Sequence, residues 1–132
     1  VKVTADTNVL VRAITGDDPQ QSEIAQAVLA NASVVALPLP VLCELVWVLS
    51  QGYKIPAIEI GGTIRRLINS VNVVANRPAV EAGLALLDLG GDFADGVIVY
   101  EGSWLGGETF VSFDRKAVKL IEAQGESARL LS

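Results

Sequence analysis

Val1-Lys2-Val3-Thr4-Ala5-Asp6-Thr7-Asn8-Val9-Leu10-Val11-Arg12 is the stretch that decides the fold. Val1 to Ala5 is a short β-rich run. It feeds directly into Asp6, Thr7 and Asn8, whose side-chain oxygens cap helices, and Val9 to Ile14 then reads as a short helix. The same alternation continues along the chain. Gly16-Asp17-Asp18 is a turn, and Asp18 caps a helix with Pro19 in its first turn that runs to about Ala30, with Ile24, Ala25, Val28 and Leu29 as its apolar face. Ser33 to Leu37 is a strand, Pro40 opens a helix that Gly52 stops, and Pro56 opens another that ends near Ser70. Val71 to Ala75 is a strand, and Pro78 starts a helix that Gly90-Gly91 terminates. Asp92 caps a helix to about Trp104, Glu108 to Phe113 is a strand, Arg115 to Gln124 a helix, and Ala128 to Leu131 a last strand. Strands that alternate with helices, often two per crossover, predict an α/β fold with a mostly parallel sheet covered on both faces. No repeat, linker or low-complexity tract interrupts it, so residues 1–132 are expected to form a single domain.

Four carboxylates stand out against this pattern. Asp6 closes an apolar strand, Glu44 sits within the apolar VLCELVWVL, Asp95 lies in DFADGVIVY, and Asp114 closes TFVSFD. Burying an unpaired carboxylate costs on the order of several kcal/mol, so such groups are usually neutralised, paired or bound to a cation. The chain has no His, and Cys43 is its only Cys. Oxygen-only ligation of a hard divalent cation, Mg²⁺ or Mn²⁺ acting on phosphate, is therefore favoured over nitrogen or thiolate sites. In an open parallel sheet functional residues gather beyond the carboxyl ends of the strands, where Asp6 and Asp114 belong. Thr7 and Asn8 then lie at a helix start that favours anions. No Lys or Arg lies within a turn of Glu44, and Asp92 shares a helix side with Asp95.

Each site has a plainer reading. Asp6, Asp92 and Asp114 serve equally well as helix caps, and for Asp92 alone the cap is preferred. Arg115, Lys116 and Lys119 form a basic stretch that either grips phosphate or is a solvated helix face. Arg12 is a candidate RNA or partner contact. Trp47 and Trp104 read as core or interface, and Cys43 as a small buried hydrophobe.

Net charge of −5 makes general attraction to nucleic acid unfavourable, so local cations and metal must offset that field. A mean hydropathy of +0.45 implies either a large core or apolar surface hidden in a symmetric dimer. The longest apolar run, Val34 to Leu49, is broken by Pro38, Pro40 and Glu44 and predicts no membrane span. No signal-peptide pattern opens the sequence, and one Cys permits no internal disulfide, which together suggest a cytoplasmic protein.

ADTNVLVRAITGDDPQQ, PVLCELVWVL, DFADGVIVY and TFVSFDRKAVKL, in that order, resemble the PIN-domain ribonucleases, most closely the VapC-type toxins of toxin–antitoxin pairs. The resemblance covers essentially the whole chain. It implies a doubly wound PIN-like sandwich with strand order 3-2-1-4-5 and a Mg²⁺- or Mn²⁺-dependent endoribonuclease. The family's acidic quartet falls on Asp6, Glu44, Asp95 and Asp114, as metal ligands and catalytic residues. Its polar support falls on Thr7 and Asn8, and on Ser112, where Thr is more usual. Asp92 is a candidate for the outer shell, and Arg115 and Lys116 for RNA or partner contact. After the third acid the family often has Ala-Leu-Ile, and here Gly96-Val97-Ile98 stands instead. The resemblance also implies a homodimer, and a small antitoxin whose basic segment reaches the acidic pocket.

Two other classes remain open at this point. A receiver-like phosphosignalling domain places paired acids after its first strand, whereas Asp6 is followed by Thr7 and Asn8. A non-catalytic dimeric binding module predicts no cleavage and no response to metal.

Overall fold

A computed structural model describes the whole chain, Val1–Ser132. The chain divides into two compact units, Val1–Asn76 and Arg77–Ser132.

The first unit runs β1 (Lys2–Thr4), α1 (Thr7–Thr15), α2 (Pro19–Asn31), β2 (Val34–Ala36), α3 (Leu39–Trp47), a π-helical turn (Val48–Gly52), α4 (Ala57–Ile68) and β3 (Val73–Val74). Its strands are parallel in the order β1-β2-β3, with Lys2 opposite Val34 and Val35 opposite Val73. Both crossovers carry two helices, as the sequence pattern predicts. Gly16 ends α1 because it takes a left-handed φ of 66° and sends its N–H back to the Arg12 carbonyl. Asp18 caps α2 by accepting from Gln21 N–H at 3.1 Å, with Pro19 at the helix start. The inward face of α2 is Ser22 and Ala25, while Ile24 and Val28 are exposed, so the expected apolar face is only partly buried. Small residues let α2 pack closely on α1, and the larger side chains are turned out.

Helix α3 is apolar nearly all round, yet only Leu39, Leu42, Leu45 and Val46 are buried. It does not end as an α-helix. The Val48 N–H is shared between the Glu44 and Leu45 carbonyls, and Tyr53 N–H closes a wide turn onto the Val48 carbonyl at 3.2 Å. Lys54 then reverses the chain with a φ of 56°, the one non-glycine residue in the left-handed region. Leu10, Val35, Leu42, Leu45, Leu49, Ile60 and Ile64 are the largest fully buried side chains of this unit.

The second unit runs α5 (Arg77–Asp88), α6 (Phe93–Trp104), β4 (Phe110–Ser112), α7 (Arg115–Ala123) and β5 (Ala128–Leu130). β4 and β5 are parallel, with Ser112 opposite Leu130. Phe93, Leu84, Leu86, Val80 and Ile121 are its largest buried side chains. α5 and α6 pack through glycine. A Cβ placed on Gly96 would stand 2.8 Å from the Gly83 Cα and would overlap the Ala82 carbonyl oxygen, while one on Gly83 would stand 2.8 Å from the Phe93 ring. The departure from the family's Ala after Asp95 is therefore a packing requirement of this helix pair.

The expected single sheet of order 3-2-1-4-5 appears as two sheets, β1-β2-β3 and β4-β5, each matching its part of that order, with no ladder joining β1 to β4. Strands of two or three residues make few ladder bonds each, so a single pairing is readily lost. No helix is long and apolar enough to cross a membrane.

Candidate active site

Asp6 follows β1 and caps α1. Its Oδ1 accepts from the Thr7 N–H at 2.8 Å, and Oδ2 keeps no partner within the protein. Thr7 is buried, and Asn8 is exposed beside it. These three residues line a cleft of about 260 Å³ together with Val11, Arg12, Glu44, Val48 and Tyr53. Glu44 reaches the cleft from α3. It is exposed rather than buried, on the face of α3 that also carries exposed Trp47. Its apolar neighbours along the chain suggest burial, but the buried ones, Leu42, Leu45 and Val46, lie on another face of α3. Within this unit the structure thus brings Asp6, Thr7, Asn8, Arg12 and Glu44 to one cleft.

The cleft's rim carries a network absent from the sequence reading. Arg12 Nη1 donates to Asp17 Oδ1 at 2.9 Å, and the Tyr53 hydroxyl donates to Asp17 Oδ2 at 2.5 Å. The Thr15 hydroxyl, 3.0 Å from Asp17, divides its hydrogen between that carboxylate and the Val11 carbonyl. The Tyr53 hydroxyl, then Thr15 and Arg12, hold the Asp17 carboxyl down at about 2. Asp17 was read only as part of a turn. No local signal joins it to Tyr53, which lies 36 residues on.

In the second unit Asp114 follows β4 and caps α7, its Oδ1 accepting from Ala117 N–H at 3.1 Å. Ser112 accepts the Asp114 N–H through Oγ at 2.9 Å and so fixes the backbone on which that acid stands. Asp92 caps α6 through Oδ1, 2.9 Å from Ala94 N–H. Asp95, in the first turn of α6, is half-buried, and its carboxylate has no hydrogen-bond partner. Its carboxyl is pushed above the ordinary carboxylate range, first by burial and then by the negative charges of Asp92 and Asp114. Arg115 and Lys116 are exposed at the start of α7 and form no ion pair with these acids.

The cap and ligand readings of Asp6, Asp92 and Asp114 prove compatible. Each spends one oxygen on its own helix, which fixes the rotamer, and leaves the other oxygen free. Only Asp95 of the quartet is even half-buried; Asp6, Glu44 and Asp114 are exposed. The expectation of buried carboxylates fails for Asp6 and Asp114 because strand ends and helix starts lie at the surface of their unit, and for Glu44 because it stands on the exposed face of α3. Trp47 and Trp104 are 64% and 76% exposed, so neither is a core residue, and Cys43 is half-buried.

The donor set suits a hard divalent cation: it is all oxygen, and the acids around Asp95 repel one another with no cation between them. Within neither unit do three such side chains stand together in ligating geometry. Chemically, each unit offers free carboxylate oxygens at helix N-termini, and the first adds the Arg12 guanidinium at the cleft.

A family profile described as PIN domain matches residues 3–122, a span that includes every acid described above. No curated protein matches the chain.

Proposed function

The chain belongs to the PIN domain family, a nuclease fold that is generally metal-dependent, and on that premise we propose that it is a Mg²⁺- or Mn²⁺-dependent endoribonuclease, the VapC-type toxin of a toxin–antitoxin pair. The observation that carries this reading is the PIN match over residues 3–122, a span that holds Asp6, Glu44, Asp95 and Asp114.

In this reading Asp6, Glu44, Asp95 and Asp114 hold the metal within a single PIN-like domain spanning residues 1–132. When bound, a divalent ion would supply Lewis-acid polarisation of the phosphodiester and a lowered pKa for water. The residues do the rest. The free oxygens of Asp6 and Asp114 present fixed negative charge, because Thr7 and Ala117 N–H groups hold their other oxygens. One of these carboxylates takes or orients the proton of the attacking water. Asp92 shapes the charge at Asp95, Ser112 steadies Asp114, and Thr7 and Asn8 line the cleft on the Asp6 side. Arg115 and Lys116, exposed at the start of α7, are the candidates for contact with RNA or a partner. Products carry 5′-phosphate and 3′-hydroxyl ends.

Two further proposals follow. Ile98, Trp104, Leu105, Val111 and Phe113 are exposed in the second unit, an apolar surface suited to a homodimer. A small basic antitoxin segment would be attracted by the acids, and an Arg from it would compete with metal. Binding of a basic peptide that survives high salt unchanged would count against that.

Incubation of the protein with mixed structured RNAs and Mn²⁺ or Mg²⁺, beside EDTA and Asp6→Asn controls, tests the assignment. Cuts lost in both controls support it. Cleavage by a folded Asp6→Asn protein at the wild-type rate would sink it.

A further inference from the structure

Arg12 is the only cationic side chain lining the cleft that holds Asp6 and Glu44. An anionic polymer entering that cleft meets two carboxylates and one guanidinium. Arg12 commits a single N–H to Asp17, and its other donors have no partner in the protein, on a side chain 37% exposed. A planar guanidinium with free donors matches a phosphate bidentately.

Asp17 is held by three side chains: by Arg12 from α1, by Thr15 at the end of that helix, and by Tyr53 from beyond the π-helical turn. Two backbone irregularities serve that third contact. The π-helical turn Val48–Gly52 alters the phase at which the chain leaves α3, and Lys54 adopts a φ of 56° directly after Tyr53. Irregular backbone of this kind collects at functional sites.

We propose that Arg12 is the phosphate-binding residue of the cleft, gripping the sugar–phosphate backbone of an RNA strand next to the bond that is cut, and that Asp17 and Tyr53 are the positioning residues that hold its guanidinium there. The proposal rests on the endoribonuclease reading. Asp17 fixes the orientation of the fork, and Tyr53 fixes Asp17. Neither touches the substrate.

The test measures kcat and KM on a labelled unstructured RNA with Mn²⁺, and the salt dependence of RNA binding in EDTA. Wild type, Arg12→Ala, Arg12→Lys, Asp17→Asn and Tyr53→Phe are compared, with Tm recorded for each. Arg12→Ala is expected to raise KM roughly tenfold with kcat little changed, the signature of lost uniform binding. It also lowers the slope of log affinity against log salt by about 0.7, one phosphate on a single strand. Arg12→Lys restores that slope but not the full KM, because a point charge replaces a fork. Tyr53→Phe, which removes one hydroxyl, raises KM about threefold with the salt slope unchanged. Should Arg12→Ala fail to fold, Tyr53→Phe and Arg12→Lys still read the KM effect. Wild-type KM and slope in every folded variant, with only Tm lowered, would show the network to be structural and overturn the proposal while cleavage stands. A wild-type protein that neither binds nor cuts RNA removes both readings together.

Discussion

Gly96 and Gly102 lie in the same helix, α6, and replacing each by Ala should move stability in opposite directions. In open helix, Gly→Ala gains about 0.8–1 kcal/mol from propensity. Gly102 meets nothing within 4 Å, so Gly102→Ala should realise most of that gain. At Gly96 the new Cβ would lie 2.8 Å from the Gly83 Cα and 2.9 Å from the Ala82 carbonyl carbon. Carbon atoms pack at roughly 3.5–4 Å, so α5 and α6 must part by about 0.7 Å or more. The obstacle is backbone, which cannot swing aside as a long side chain does. Overpacking of this kind costs about 1–3 kcal/mol, and a backbone clash belongs at the upper end. Setting about 3 against a gain of about 1 leaves Gly96→Ala destabilised by about 2 kcal/mol. For a chain of this size that is a fall in Tm of roughly 6–10 °C. Thermal and urea unfolding followed by circular dichroism measure both variants. If Gly96→Ala melts at or above the wild-type temperature, the helices do not depend on glycine for their approach, and the reasoning fails.

Asp6→Asn should abolish metal-dependent RNA cleavage, by at least ~100-fold, while leaving the circular dichroism spectrum unchanged, because Asn retains a capping oxygen for Thr7 N–H. Mg²⁺ or Mn²⁺ should raise the Tm of the wild type and raise that of Asp95→Asn less; equal shifts would remove Asp95 from the ligand set. Asp95 has a carboxyl pKa raised by burial, Asp92 and Asp114, so in the metal-free protein its contribution is neutral below the unfolded value of 3.8, turns unfavourable as pH rises past that value, and is fully unfavourable above the folded one. Asp95→Asn should therefore make the metal-free protein more stable at pH 7 and flatten that decline. Asp17 has the opposite sign. Its carboxyl, lowered from 3.8 to about 2, contributes stability above the unfolded value that is lost as pH falls towards 2, and Asp17→Asn should erase that loss in a Tm-versus-pH series.

The parts of this fold that could be read in the sequence are those whose signals are local. Asp6, Asp18, Asp92 and Asp114 all cap helices where an acid precedes a helical pattern, and Gly16 and Pro19 mark an end and a start as expected. The double-helix crossovers followed from element order alone. What was lost depends on which way a face turns or on residues far apart. Glu44 lies in an apolar string, but exposure is set by the helix face and not by sequence neighbours. Gly96 reads as a weak helix former, and only the approach of α5 shows why nothing larger fits. Asp17 and Tyr53, 36 positions apart, are joined only by folding, and the π-helical turn that aims Tyr53 has no sequence signature. The joining of the strands into one sheet was expected from the resemblance, and the short strands β1 and β4 do not make that ladder.

The π-helical turn has a consequence for length variation. An α-helical residue advances the chain by about 100° around the axis. Deleting any one residue from Val48–Gly52 would restore regular helix and swing Tyr53 by about that angle, away from Asp17. A one-residue gap at this point would thus act as a mutation of Tyr53 without altering it. Relatives that differ here by a single residue should hold the arginine after their first acid by some other contact, and Tyr53 and the length of the segment before it should be lost or kept together.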